Sequence, residues 1–540
     1  MAFWLLVVVV VVMAREREGA LKALEKHARH MRHCHLRDLM FDESRSDDMV
    51  LESCDVVVDW CRQKVTSETM ELLYALGHAM EVPHKLAKMR RLEVVNPTEH
   101  RAACHHERSG VEEVLTFADK ARREFRAVIV VGIGGSRLGP ELAVRALQKT
   151  KSPELRFLSS VDRSAFLEAI AGLDPATTLV VISSKSFTTA ETMMSAHKLK
   201  TWLKSGGIGV FEKNLACCAS NVEKAREFVG EKGIVFGFSD NVGGRFSVSS
   251  VPGILPLALA VGSSDARRFL AGMKRVDEHV FGGPLEGNIA FILAAIGVWN
   301  TLLFDNFRES AVRARAVVPY CHRLSLFPAH VQQLEMESLG KSVSAQGTPL
   351  SHFQTEVLLG TTGTEAQHSF FQLLHQGSGT VPVDFVACLE DDDDDELNAD
   401  TRDELLANLF AQADALALGT TNDDRPLHEN LPGDRPSTTL LLRNMDPENL
   451  GALIAIYEHR TAITGFLLDI NPFDQPGVEH GKKGAKSIRA FLEQLHVADE
   501  TIPPHQTSWP PSTQRLIERY LAVKKNKMAH LFPPFEDPSK

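Results

Sequence analysis

Gln333 and Glu337 stand four residues apart in the run Gln332-Gln333-Leu334-Glu335-Met336-Glu337-Ser338-Leu339-Gly340-Lys341. On a helix that spacing sets both on one face, with Gly340 as a stop. Glu337 then meets the negative end of the helix dipole, a setting that suits a base, although a surface glutamate on a helix has the same pattern. Upstream, Arg245 follows two glycines in Gly243-Gly244-Arg245-Phe246-Ser247. Small residues let a loop press on a ligand, and a guanidinium holds an anion without giving up its proton. A third segment, Ser184-Lys185-Ser186-Phe187-Thr188-Thr189-Ala190-Glu191-Thr192, offers several hydroxyls and one cation ahead of a helix. That composition fits a phosphate at a helix N-terminus, and it equally fits an N-cap cluster. The loop Gly132-Ile133-Gly134-Gly135-Ser136-Arg137 is not a dinucleotide fingerprint, because Arg137 fills the third glycine position. It still lets backbone approach a ligand and presents one hydroxyl.

These residues need elements to position them. Ala127 to Val131 and Leu179 to Ile182 are short, wholly apolar runs, each leading through one of the loops into a helix. Such alternation predicts a parallel sheet covered on both faces. A second unit starts near Arg308, with strands at Ala316 to Tyr320, Val381 to Leu389 and Thr438 to Leu442 and a helix from Pro328 to Leu339. Residues from about Glu18 to Met89 read as helices. The expected division is residues 1–95, a helical segment with an apolar extension; 96–300 and 301–497, two α/β domains; and 498–540, a tail with a helix from Thr513 to Lys525.

Composition narrows the function. The 540 residues are 44% hydrophobic and 24% charged, ordinary for a soluble globular chain. The net charge of −11 argues against nucleic acid as a partner. Eight cysteines without a CxxC pair read as reduced thiols of a cytoplasmic protein. The apolar run Phe3 to Met13 is shorter than the ~20 residues of a membrane span and lacks a preceding basic segment. It reads as a start-site artefact or a buried extension, and no membrane association is expected. His27, His30, His33 and His35 have no companion ligands at zinc spacing and read as solvated or core-edge histidines. The acidic block Glu390 to Glu396 reads as a solvated loop.

Gly243 to Ser247 and the later run Phe473-Asp474-Gln475-Pro476-Gly477-Val478-Glu479-His480-Gly481-Lys482 resemble, in order, two signature segments of the phosphoglucose isomerase family. The resemblance extends from about Asn96 to Lys486. It implies two doubly wound parallel-sheet sugar-isomerase domains with flanking helices, and an aldose-ketose isomerase of glycolysis and gluconeogenesis acting on glucose 6-phosphate and fructose 6-phosphate. By that similarity Ser136, Ser184, Lys185, Ser186, Thr189 and Thr192 surround the phosphate, and Gly135 lines the sugar. Glu337 is the base, beside Gln333, and Arg245 holds the enediolate. His375, in Leu374-His375-Gln376-Gly377, and Lys482 open the sugar ring, with Gln475 on sugar oxygens. His368 is then structural, and Lys483 and Lys486 are surface charges. The family contributes the histidine from the neighbouring subunit, so the resemblance implies a homodimer. Two departures stand out: the family has Asp where Arg137 stands and Thr where Ser186 stands. No metal or redox cofactor is implied, since proton transfer through an enediol needs neither.

Three alternatives have their own discriminators. An isomerase preferring mannose 6-phosphate would differ in relative rate on the two sugars. A non-catalytic phosphosugar-binding module would lack the base, arginine and lysine together, and all three are present. A nicotinamide oxidoreductase would need the glycine fingerprint that Arg137 breaks.

Overall fold

The computed structural model describes residues 2–148, 153–303, 313–350, 356–390, 396–420, 426–498 and 509–524. The chain forms two compact units, Met1–Asp474 and Gln475–Lys540. The described strands are, in chain order, β1 Val50–Ser53, β2 Val56–Asp59, β3 Val94–Asn96, β4 Arg101–Ala102, β5 Ala127–Val131, β6 Glu154–Leu158 and β7 Thr178–Ser183. They continue with β8 Leu215–Ala219, β9 Ile234–Gly237, β10 Arg313–Pro319, β11 Glu356–Leu359, β12 Val383–Cys388 and β13 Ser437–Leu442.

The first sheet has the order β6-β5-β7-β8-β9 and is parallel throughout. Every residue of β5, β7 and β8 is buried, which is why these strands are continuous apolar runs rather than alternating ones. The chain leaves β5 toward β6 on one side and β7 toward β8 on the other. That reversal opens a crevice at the carboxyl ends of β5 and β7, the place where open α/β sheets bind ligands. The loops 132–136 and 184–189 leave the sheet at these strand ends.

The second sheet has the order β1-β2-β13-β12-β10-β11. Strands β13, β12, β10 and β11 are parallel, and β2 runs antiparallel to β13 with Val58 opposite Leu440. The segment Glu18 to Met89 is therefore not helical throughout, because β1 and β2 form a hairpin inside it. Its two-residue turn is Cys54-Asp55, at φ 57° and 60°. Such left-handed turns normally announce themselves with Asn-Gly, so this one carries no turn signal.

Helices fill the space behind the sheets. Ser263–Gly282 and Pro447–Leu467 cross at very short range. A Cβ on Gly272 would lie 1.9 Å from the Glu448 carbonyl, and one on Gly451 would lie 2.1 Å from that of Phe269. The N-terminal helix Ala2–Met31 buries Leu24, Ala28 and Met31 and packs on Ser67–Ala79. Its His27 is buried and 2.8 Å from Thr69 Oγ1, while His35 caps the helix Leu36–Met40. No helix among the described residues is long and apolar enough to cross a membrane. Asp391 to Asp395 of the acidic block lie outside the described residues, and Glu396 opens the helix Glu396–Leu418. The second unit pairs helices Pro476–Ala498 and Pro511–Lys524 around Phe491 and Ile517.

Candidate active site

Glu337 lies in the last turn of the helix Phe327–Leu339, which follows β10. Gln333, one turn earlier, donates from Nε2 to Glu337 Oε2 at 2.9 Å. Arg245, in the tight turn Gly244–Phe246, brings Nη1 to 3.5 Å from Glu337 Oε1. The guanidinium is 4% exposed and fully committed: Nε donates to Ser338 Oγ at 2.6 Å, and Nη2 to the carbonyls of Pro472 at 2.6 Å and Asp474 at 3.1 Å. Burial draws its pKa below the ordinary arginine range, opposed by Glu337 and then Asp474. An arginine so placed remains a cation across the physiological range. Lys341 ties the assembly together. Its ammonium donates to the carbonyls of Glu337 at 3.1 Å and Ser338 at 2.7 Å and lies 3.3 Å from Asp474 Oδ1. Asp474 Oδ2 accepts from Thr98 at 2.5 Å, and Asn471 donates to Asn96 and Thr98, which fixes the segment that holds Arg245.

The opposite face of the helix is anchored separately. Glu335 is buried and paired with Arg315, which also binds Asp384 and, at 3.0 Å, Glu356. Glu335 thus points away from Glu337, as its two-residue offset requires. Gly134, at φ +58°, lies over the Gln333 amide, since a Cβ there would be 2.8 Å from Nε2. Gly135 is where two loops touch: a Cβ would fall 2.2 Å from the Gly244 carbonyl. The loop after β5 therefore presses directly on the arginine turn.

At the crevice, Ser184 is 4% exposed, and its Oγ has no hydrogen-bond partner among the described residues. Phe187 takes φ 54° with its ring buried edge-on against Phe228, 5.7 Å between centroids. Packing thus holds a conformation that bulky residues rarely adopt. The exposed Ser186 hydroxyl pairs with Thr188 Oγ1 at 2.7 Å. Thr189 is the N-cap of the helix Ala190–Ser205 but makes no side-chain capping bond, and Thr192 is buried in that helix's first turn. Lys185 sends its ammonium to the carbonyls of Asp240 at 2.6 Å and Val242 at 3.1 Å, bracing the loop that precedes Gly243. Burial and then Arg101 lower its pKa. Ser136 is half-buried in the turn after β5. Arg137 turns back along its own helix, with Nε 2.6 Å from Glu141 Oε2.

The remaining expected residues have local partners of their own. His375, on the helix Phe371–Gln376, places Nε2 2.9 Å from Gln412 Oε1. His368 terminates the helix Gly363–Gln367. Gln475 and Lys482 belong to the second unit, where Lys482 pairs with Glu479 at 2.7 Å. Sequence reasoning did not pick out Ser338, Lys341, Thr98 or Asn471. Their partners lie far away in the chain, and only adjacency to Glu337 and to the Gly243 and Phe473 segments marked their neighbourhood.

A sheet crevice lined by small residues and hydroxyls thus adjoins a carboxylate fixed against a buried arginine. A family model described as phosphoglucose isomerase matches residues 112–517. The chain is 38% identical to a cytosolic glucose-6-phosphate isomerase of Zea mays, over 93% of this chain and 95% of that one. It is 36% identical to a cytosolic glucose-6-phosphate isomerase of Arabidopsis thaliana, over 93% and 96%. The structure superposes on a glucose-6-phosphate isomerase from Chlamydia trachomatis with a TM-score of 0.82, 28% identity, and coverage of 93% and 98%. The chain belongs to the phosphoglucose isomerase family.

Proposed function

We propose that this chain is a glucose-6-phosphate isomerase, an aldose-ketose isomerase that interconverts glucose 6-phosphate and fructose 6-phosphate in glycolysis and gluconeogenesis. The observation that carries the reading is Glu337, held between Gln333 at 2.9 Å and Arg245 at 3.5 Å. In the forward direction Glu337 takes the proton from C2 of the open-chain aldose. The electron pair moves into the C1–C2 bond, and negative charge gathers on O1. Arg245 supplies a fixed positive charge beside that oxygen, already desolvated, so no reorganisation is needed as charge develops. Return of the proton to C1, with transfer of the O2 hydroxyl proton to O1, gives the ketose. In this proposal Ser136, Ser184, Lys185, Ser186, Thr189 and Thr192 surround the phosphate, and Gly135, Gln333 and Gln475 contact the sugar. His375 and Lys482 open the ring as an acid–base pair. The chain acts as a homodimer in which His375 reaches the neighbouring subunit's site. The cytosolic names of the plant relatives support a cytoplasmic location.

The test is conversion of fructose 6-phosphate to glucose 6-phosphate, followed with a coupled dehydrogenase. Glu337→Gln keeps shape and hydrogen bonding but removes the base, so kcat should fall by ~10³-fold with KM little changed, within the ~10²–10⁴ range of acid–base catalysis. Full turnover by that variant would defeat the assignment.

A further inference from the structure

We propose that Cys321 and Cys388 are a modification site: a pair of adjacent thiols that a small-molecule disulfide closes, by exchange, into an intramolecular disulfide. The inference is independent of the isomerase reading. Parallel strands β10 and β12 place Pro319 opposite Val386, and the Tyr320 amide continues the ladder by donating to the Val386 carbonyl at 2.7 Å. Two residues further on, the same register sets Cys321 beside Cys388. Neighbouring strands lie ~4.8 Å apart, inside the ~4.4–6.8 Å between Cα atoms that a disulfide bridges. The Cys388 side chain is close enough to the Cys321 thiol to act on its ionisation. Both are partly exposed, at the carboxyl ends of the second sheet, where the chain leaves β10 toward β11 and β12 toward β13.

Cys321 also differs from the other thiols in reactivity. The hydrogen bond from Cys388, with the backbone N–H groups of Arg323 and Leu324, holds its pKa below the ordinary cysteine value in spite of burial. Burial pushes Cys61, Cys104 and Cys218 up to about 12 and also raises Cys54 and Cys217. The thiolate is the nucleophile, so Cys321 attacks first. Its sulfur bonds to one sulfur of the small disulfide, whose S–S bond breaks, and the first small thiol leaves with a proton from solvent. Cys388, losing its own proton, then attacks the Cys321 sulfur and expels the second small thiol. Two protein thiols are oxidised and one small disulfide is reduced to two thiols. The closed bond joins β10 to β12 immediately before the turn His322–Leu324 that leads into the Glu337 helix.

Oxidised glutathione on the native full-length chain tests this, with alkylation of remaining thiols, proteolysis and mass spectrometry. The expected product is a peptide pair joined through Cys321 and Cys388, separable by dithiothreitol. In Cys388→Ser the reaction should stop at a glutathione adduct on Cys321. Wild-type chain carrying only glutathione adducts would overturn the proposal. So would a native chain untouched at Cys321 while the urea-unfolded chain reacts. The wild-type result decides the matter even if the serine variant fails to fold.

Discussion

Two buried serines belong to the proposed site, and their hydroxyls are treated differently. Ser338 is fully buried, and its Oγ accepts the Arg245 Nε proton at 2.6 Å. Ser184 is almost as buried, yet its Oγ has no partner among the described residues. A buried unsatisfied hydroxyl costs ~1–3 kcal/mol, a cost that an incoming phosphate oxygen would offset. In the proposed reading, the reacting end is assembled before substrate arrives, whereas the anion end keeps donors in reserve. The strained Phe187 belongs to the same end, where packing against Phe228 holds a turn that its own backbone preference would not. The contrast follows from the tasks: charge stabilisation rewards groups fixed in advance, and binding rewards groups that gain a partner only with ligand.

The assembled end should be the more fragile. Arg245→Lys retains a positive charge but cannot donate at once to Ser338, Pro472 and Asp474 while facing Glu337. We expect kcat to fall ~10²–10³-fold, the size typical of losing one preorganised charge-stabilising donor. An unchanged kcat in the coupled assay would mean that charge alone, rather than its fixed direction, suffices. A smaller effect enters through the foundation of the same helix. His330 is 3% exposed, and burial lowers its pKa to about 4. Its folded value lies below the unfolded ~6.5, so its contribution is complete above that pH and is lost as pH falls toward 4. The loss amounts to at most about 3 kcal/mol. Urea titrations across this window should show a shallower decline for His330→Leu, although His105, also buried and held low, retains part of it. Equal slopes for the two proteins would exclude His330 as a source of acid sensitivity.

The legibility of the sequence divides along the same line. Strands β5 and β7 were readable because burial on both faces demands unbroken apolar runs. The helix Phe327–Leu339 was readable because Gln333 and Glu337 share a face and Gly340 ends it. The hairpin β1–β2 was not, because Cys54-Asp55 adopts a left-handed turn without the residues that normally favour it. Ser338 was equally hidden, since its role depends on a partner 93 residues away. The sequence placed Lys185 among the phosphate donors, and its ammonium is bonded to the carbonyls of Asp240 and Val242. Residue type and spacing report local chemistry well. They do not report which of several polar groups the tertiary structure has already satisfied.

The two serines turn that distinction into a matched experiment. Ser338→Ala leaves Arg245 Nε buried without its acceptor, a loss of ~1–3 kcal/mol for a charged donor. The variant should unfold at lower urea and lose ~10-fold in kcat as the guanidinium shifts, with KM nearly unchanged. Ser184→Ala removes a hydroxyl that has no partner to lose among the described residues. Its urea midpoint should hold or rise, and KM for fructose 6-phosphate should rise ~10-fold, the worth of one charge-assisted hydrogen bond to phosphate. The sign of the stability change is the decisive readout, because any buried serine could lower activity when removed. If Ser184→Ala destabilised the free protein as much as Ser338→Ala, its hydroxyl would already be satisfied. The anion end would then be as fully assembled as the reacting end, and the division between them would collapse.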